Sequence, residues 1–87
     1  MLSIIITGTP RLETESPYII SVSAKVQGDP MELKFIGDYA RALTPQIKSL
    51  RYGDCAAISG KVRDGAILVE RFTALNEIKG RNLNFYG

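Results

Sequence analysis

A two-residue period runs through this sequence, and only one stretch breaks it. In "YIISVSAKV", Tyr18, Ile20, Val22, Ala24 and Val26 fall on one side, and Ile19, Ser21, Ser23 and Lys25 on the other. Successive side chains of a strand point to opposite faces, so this is the pattern of a half-buried strand. "MELKFIG" repeats it: Met31, Leu33 and Phe35 alternate with Glu32, Lys34 and Ile36. In "CAAISGKVR", Ala56, Ile58 and Val62 share a side with Gly60, while Ala57, Ser59, Lys61 and Arg63 share the other. Asp64–Gly65 then predicts a two-residue hairpin turn, because both central positions of that turn need positive φ. The strand "AILVERFTALNEI" follows, and its alternation falters around Arg71, which predicts a bulge or a barrel corner.

The remaining segments fix the order. "LSIIITGT" is β-branched and apolar on both sides, and it runs into Gly8 and Pro10. "PRLETESP" is polar and bracketed by prolines, so it reads as a loop or a strand end passing into one. "QGDP" and "RYGD" are turn signals. "DYARALTPQIKSL" is the exception to the period. Asp38 is suited to cap a helix, and Tyr39, Ala42 and Leu43 fall at helical spacing. Pro45 lacks an N–H and clashes with the preceding turn. The expectation is a short helix ending near Leu43, a turn at Thr44–Pro45, and another helical turn toward Leu50.

Three strands, one short helix and two strands exclude a doubly wound sheet, which alternates strands with helices. They match an all-β, five-stranded OB-fold Greek-key barrel with its helix between strands 3 and 4. A first strand that bends and joins both sheets explains its two-sided apolar character. The barrel is assigned to residues 1–78. Residues 79–87, "KGRNLNFYG", form a tail that mixes Lys79 and Arg81 with Phe85 and Tyr86.

At 87 residues the chain fits one small domain, hiding roughly 60–65% of the surface it would expose unfolded. His is absent and Cys is single, which excludes a structural zinc cage, an internal disulfide and His-based acid–base catalysis. Cys55 is read as a small apolar filler. No cofactor is expected, and Glu13 and Glu15 in a polar segment are read as solvated. The start has neither the basic residues and long apolar run of a signal peptide nor a membrane span, so a cytoplasmic, soluble protein is expected. The net charge of +2, from 11 basic and 9 acidic residues, permits contact with a polyanion without demanding it.

"KFIGDYARAL" and "LRYGDCAAISGKVR" resemble bacterial single-stranded DNA-binding proteins and their primosomal relative. The matching residues are Ile36–Gly37, Ala40, Arg51–Tyr52–Gly53 and Ile58–Ser59–Gly60–Lys61–Val62, with Ile5–Ile6–Thr7–Gly8 resembling the family's first strand. The resemblance covers roughly residues 2–78. Three features depart from the family. The turns between strands 2 and 3 and between strands 4 and 5 are short, where the family carries long DNA-binding arms. Trp is absent. The acidic, Phe-ended tail of the cellular proteins is replaced by Phe85–Tyr86–Gly87. The resemblance therefore implies a minimal version, of the kind a phage or plasmid carries.

Such a protein binds phosphates through Lys and Arg and stacks bases on aromatic rings, with little sequence preference. Alternation puts Lys25 and Lys34 on the solvent side of strands 2 and 3, and Lys61 and Arg63 on the matching side of strand 4. Arg71 joins them if the bulge turns it outward. Arg51 and Tyr52 lie in a turn, and Tyr52 and Phe72, with Phe85 and Tyr86, are the stacking candidates. Tyr18, Phe35 and Tyr39 are assigned to packing. The implied role is coating single-stranded DNA in replication, recombination or repair. RNA remains open, because a stacking platform accepts either sugar. Ile5 and Ile19, opposite the main apolar rows, suggest a homodimer or tetramer built by pairing of first strands. The alternative is a protein-interaction module of a replication or other nucleoprotein complex, its basic face meeting an acidic partner.

Overall fold

The structure, a computed structural model, describes residues 1–75. The tail and residues 76–78 of the expected barrel lie outside the described residues. Six strands and one helix follow in the order β1 (Leu2–Ile6), β2 (Arg11–Glu15), β3 (Tyr18–Val26), β4 (Asp29–Ile36), α1 (Gly37–Lys48), β5 (Cys55–Arg63) and β6 (Ala66–Ala74). The strands are hydrogen-bonded in the order β1-β5-β6-β4-β3-β2, and an additional β1–β3 pairing closes five of them into a barrel. Neighbouring pairs are antiparallel except β4 with β6, which is parallel. This is the OB-type Greek-key barrel that the element order predicts, with α1 between β4 and β5.

One difference lies in the first strand. "RLETE", expected as a loop or a strand end passing into one, is a strand in its own right, β2, and it pairs with the N-terminal half of β3 while β1 pairs with the C-terminal half. The two are successive lengths of one bent path along β3, separated by "TGTP" with its Gly8 and Pro10. Both hairpins that follow are as tight as hairpins get. Gln27 (φ 54°) and Gly28 (φ 86°) join β3 to β4, and Asp64 (φ 50°) and Gly65 (φ 75°) join β5 to β6, all in the left-handed region such turns require.

The inward rows of the alternating pattern make the core. Ile4, Ile6, Ile20, Val22, Leu33, Phe35, Ile58 and Ile67 are buried inside the barrel. Each such aliphatic or aromatic side chain contributes roughly 1.5–3 kcal/mol on burial. Helix α1 packs against β3 and β4 and adds Ala40 and Ile47 to the core. It differs from the expected helix in three ways. It continues through Pro45 to Lys48. The N–H that Pro45 lacks would have met the carbonyl of Arg41, a residue exposed to water. Its N-cap is Ile36 without a side-chain bond, Asp38 lies in the first turn, and Ala42 faces solvent.

Val62 is a further correction. It keeps the phase of the core row and is opposite the buried Ile67, but it is 66% exposed, because β1 pairs with β5 only as far as Ile58 and, among the described residues, leaves this end of β5 an open edge. The bulge expected near Arg71 is present: Ser59 pairs with Arg71 and Gly60 with Val69, leaving Glu70 as the extra residue. No helix among the described residues is long and apolar enough to cross a membrane.

Candidate nucleic-acid interface

The outer face of the barrel follows from register, since residues directly opposite in a sheet point to the same side. Lys34 is opposite Leu68, and Leu68 is opposite Lys61. Lys34, Leu68 and Lys61 therefore form one row across β4, β6 and β5, with the two lysine backbones about 10 Å apart at two strand spacings. The next row places Glu32, Ala66 and Arg63 together. The bulge at Glu70 resets the alternation of β6, so Arg71, opposite Ser59, joins the same outer face and is exposed. Without that extra residue Arg71 would point inward.

Availability separates these cations. The Lys34 ammonium donates to the Glu13 carboxylate and to the Ser21 hydroxyl (3.0 Å). The Ser21 hydroxyl, on a fully buried residue, donates in turn to Glu13. These hydrogen bonds, the one from Lys34 first, hold the Glu13 carboxyl below its ordinary value of 4.5. Beside them Arg11 lies 3.6 Å from Glu32, which also accepts the Ser23 hydroxyl at 2.9 Å. The β2–β3–β4 part of the outer face thus carries two cations and two anions paired with each other, with the Glu32 Oε2 buried and without a hydrogen bond among the described residues. Lys61, Arg63 and Arg71 form no ion pair with any other described residue.

The other candidates stand elsewhere. Lys25 is exposed on the outer face opposite Ile5, whose other neighbour is Cys55, at the start of β5. Arg51 and Tyr52 lie in the turn just before β5, where the Arg51 N–H donates to the Asp54 carboxylate at 2.8 Å and Tyr52 is 80% exposed. Eight residues of strand separate Cys55 from Arg63, about 26 Å. Lys25, Arg51 and Tyr52 are therefore at one end of β5, and Lys61 and Arg63 at the other.

The aromatic expectations divide. Phe72 is corrected: it pairs with the buried Ile58, and its ring meets that of Phe35 edge-on, with centroids 5.5 Å apart. It belongs to the inner side and offers no outward platform. Phe35 is buried and Tyr39 half-buried against the core, as assigned. Tyr18 is half-buried, with its hydroxyl 3.1 Å from that of Thr44 and the Arg41 guanidinium 4.4 Å above its ring. Phe85 and Tyr86 lie outside the described residues. Cys55 is half-buried on the outer face, opposite Ile5. β1 is hydrogen-bonded to β5 along Leu2–Ile5 and to β3 along Ile4–Ile6, so a pairing of first strands between subunits has the β3-side edge at Leu2 and Ser3 to use.

Sequence reasoning missed Arg11 and Leu68, and it missed that Glu13 is the partner of Lys34. "RLETE" does place Arg11, Glu13 and Glu15 at alternate positions, but a bulge between Leu12 and Thr14 makes Glu13 the extra residue and takes Glu15 out of phase with Arg11. No group of acidic, His or Cys side chains among the described residues is arranged to hold a metal ion. Comparison of the whole chain with protein-family models, with curated proteins and with solved structures finds no match, so the assignment of the barrel rests on its strand order and register alone.

Proposed function

We propose that this protein binds rather than catalyses, and that it holds single-stranded DNA on the outer face of the β5–β6 hairpin with little sequence preference. On this reading it acts in the cytoplasm in replication, recombination or repair. One observation carries the reading: Lys61, Arg63 and Arg71 share one exposed face and have no acidic partner among the described residues. Three such cations neutralise phosphates and release their counterions. Leu68, half-buried between Lys34 and Lys61, gives the flat face of a base an apolar contact. No aromatic ring among the described residues stands on this face, so backbone contacts dominate and the salt dependence is steep. Nothing on it reads a 2′-hydroxyl, so RNA is bound in the same way.

Titration of fluorescent oligo-dT and oligo-rU at 50 and 200 mM salt tests this. Three phosphate contacts on a single strand weaken binding by about 20-fold over that range. Absence of binding at low salt overturns the reading. An acidic protein partner is the second reading, favoured by Val62, a large apolar side chain 66% exposed on the opposite face of the same hairpin. Polyanion binding has no use for it. A protein whose hairpin ignores oligonucleotides at low salt but is shielded by an acidic polypeptide supports this second reading.

A further inference from the structure

β1 flanks β5 only as far as Ile58, which stands opposite Leu2. Among the described residues no strand lies beside residues 59–63 on that side. Register tells which backbone groups this leaves open. Arg63 and Ala66 flank the two-residue turn, so they exchange both of their backbone hydrogen bonds, and alternation gives Lys61 and Leu68 the same pairing. The N–H and C=O of Val62 therefore point away from β6, and those of Gly60 share their phase. The β1 side agrees: the Ile6 N–H donates to the Asp54 carbonyl at 2.8 Å, and Ala56 and Ile58 follow in the same phase opposite Ile4 and Leu2. Gly60 and Val62 thus continue a row of backbone donors and acceptors past the end of its partner. The Val62 side chain beside them is 66% exposed.

We propose that this edge docks an extended acidic segment of another protein, added to β5 as an antiparallel strand. Strand addition makes backbone hydrogen bonds, here at Gly60 and Val62, and lets alternate side chains select the partner. Residues directly opposite in a sheet share a side. On the outer side the added strand meets Lys61 and Arg63. Their neighbours on β6, Leu68 and Ala66, are uncharged, so the counter-charge comes from the open side. On the other side the strand meets Val62. The fitting segment therefore alternates acidic with apolar residues. Its antiparallel direction is that of β1, whose line along β5 it prolongs. A second copy of the chain fits poorly. Antiparallel pairing of two such edges centred on Lys61 sets Lys61 against Lys61, and pairing centred on Val62 sets Lys61 against Arg63. Like charges directly opposite are destabilising, and charged side chains on an edge strand guard against such pairing. The inference rests on the acidic-partner reading and not on DNA binding.

The probe is a nine-residue peptide alternating Glu and Val, titrated into the full chain and followed by NMR. Amide exchange at Gly60 and Val62 is expected to slow about tenfold or more at saturation, while Lys61 and Arg63, already bonded to β6, change little. Two N-methylated forms of the peptide separate backbone pairing from charge. In the antiparallel ladder the Val positions, opposite Gly60 and Val62, turn their N–H toward β5, and the Glu positions turn theirs away. Methylation at the Val positions is expected to weaken binding about tenfold or more, and methylation at the Glu positions to leave it within about twofold. Binding that survives methylation at the Val positions overturns the proposal. If both methylated forms bind as the plain peptide does, charge alone holds it, and the acidic-partner reading stands without strand addition. Absence of peptide binding at low salt overturns the proposal as well. So does exchange at Gly60 and Val62 that is already slow in the free protein, because the chain itself or a second copy then covers the edge.

Discussion

Lys34 and Lys61 stand in one row of the outer face with Leu68 between them, yet they differ in what they have left to offer. On the β2–β3–β4 side, Lys34 is held by Glu13 and Ser21, and Arg11 lies beside Glu32. On the β5–β6 side, Lys61, Arg63 and Arg71 have no such partners among the described residues. The first region is a cross-strand ion network that ties β2 to the barrel. The second is charge exposed to whatever arrives. Facing outward is therefore not enough to make a lysine part of a binding surface; its neighbours across the strands decide, and those come from distant parts of the chain.

The largest effect is expected where the β5–β6 face is shaped. At Gly60 an added Cβ would overlap the Leu68 carbonyl oxygen and lie 2.9 Å from its carbon and 3.1 Å from the Val69 Cα. These are backbone atoms and have no side-chain freedom with which to yield. Gly60→Ala should cost about 3 kcal/mol of stability by overpacking, read as a lowered urea midpoint. Gly8→Ala is the control on the other region. Its added Cβ would sit 3.1 Å from the Ser23 Cβ, tight but against one side chain, and the loss should be smaller. Equal losses would mean that the hairpin opens easily at the bulge, and the β5–β6 face would then not be a fixed surface.

Affinity should show the contrast next. Replacing Lys61, Arg63 and Arg71 together by Ala should weaken oligo-dT binding about tenfold or more at 50 mM salt. It should also reduce the slope of log affinity against log salt by about 2, at roughly 0.7 per contact. Replacing Arg11 and Lys34 by Ala should change affinity by less than about twofold, because those charges are already countered. Equal effects from the two variants would dissolve the distinction between the regions.

Much of this arrangement is legible in the sequence, for physical reasons. Alternation in "YIISVSAKV" and "MELKFIG" reports side-chain direction, and direction is what register preserves; Lys34 and Lys61 do share a face. Asp64–Gly65 states its turn because few residue pairs accept positive φ at both positions. What alternation does not carry is depth and partnership. Val62 has the phase of a core residue but lies where β1 no longer flanks β5, and Phe72 is turned inward by the same bulge that turns Arg71 outward. Glu13 was hidden because prolines on either side made "RLETE" look like a loop, although Pro10 and Pro17 flank the strand without interrupting it.

Stability should reverse the ranking that affinity gives. Lys34→Met removes the donor to Glu13 and one neighbour of the buried Ser21, and should cost about 1 kcal/mol. Lys61→Met breaks no ion pair with a described residue and should stay within about 0.5 kcal/mol of the parent. Thermal unfolding of the two variants side by side measures this. A larger loss at Lys61 would show that the β5–β6 charges are structural after all.

The smallest effect is a pH dependence confined to one region. Hydrogen bonds from Lys34 and Ser21 depress the Glu13 carboxyl below 4.5 in the folded protein. A depressed folded value means that the unfolded chain takes up the proton first as pH falls. The stabilisation from Glu13 is therefore complete above the ordinary carboxyl value and is lost as pH falls through the folded one. From pH 6 downward the parent should lose thermal stability more steeply than Glu13→Gln, whose amide does not titrate. The two curves should converge below the folded pKa. Oligo-dT affinity should depend on pH identically in the two proteins, because Glu13 belongs to the β2–β3–β4 network and not to the hairpin. If Glu13→Gln shifts the pH profile of binding instead, the two regions are coupled, and Lys34, released from its carboxylate, joins Lys61 on the binding face.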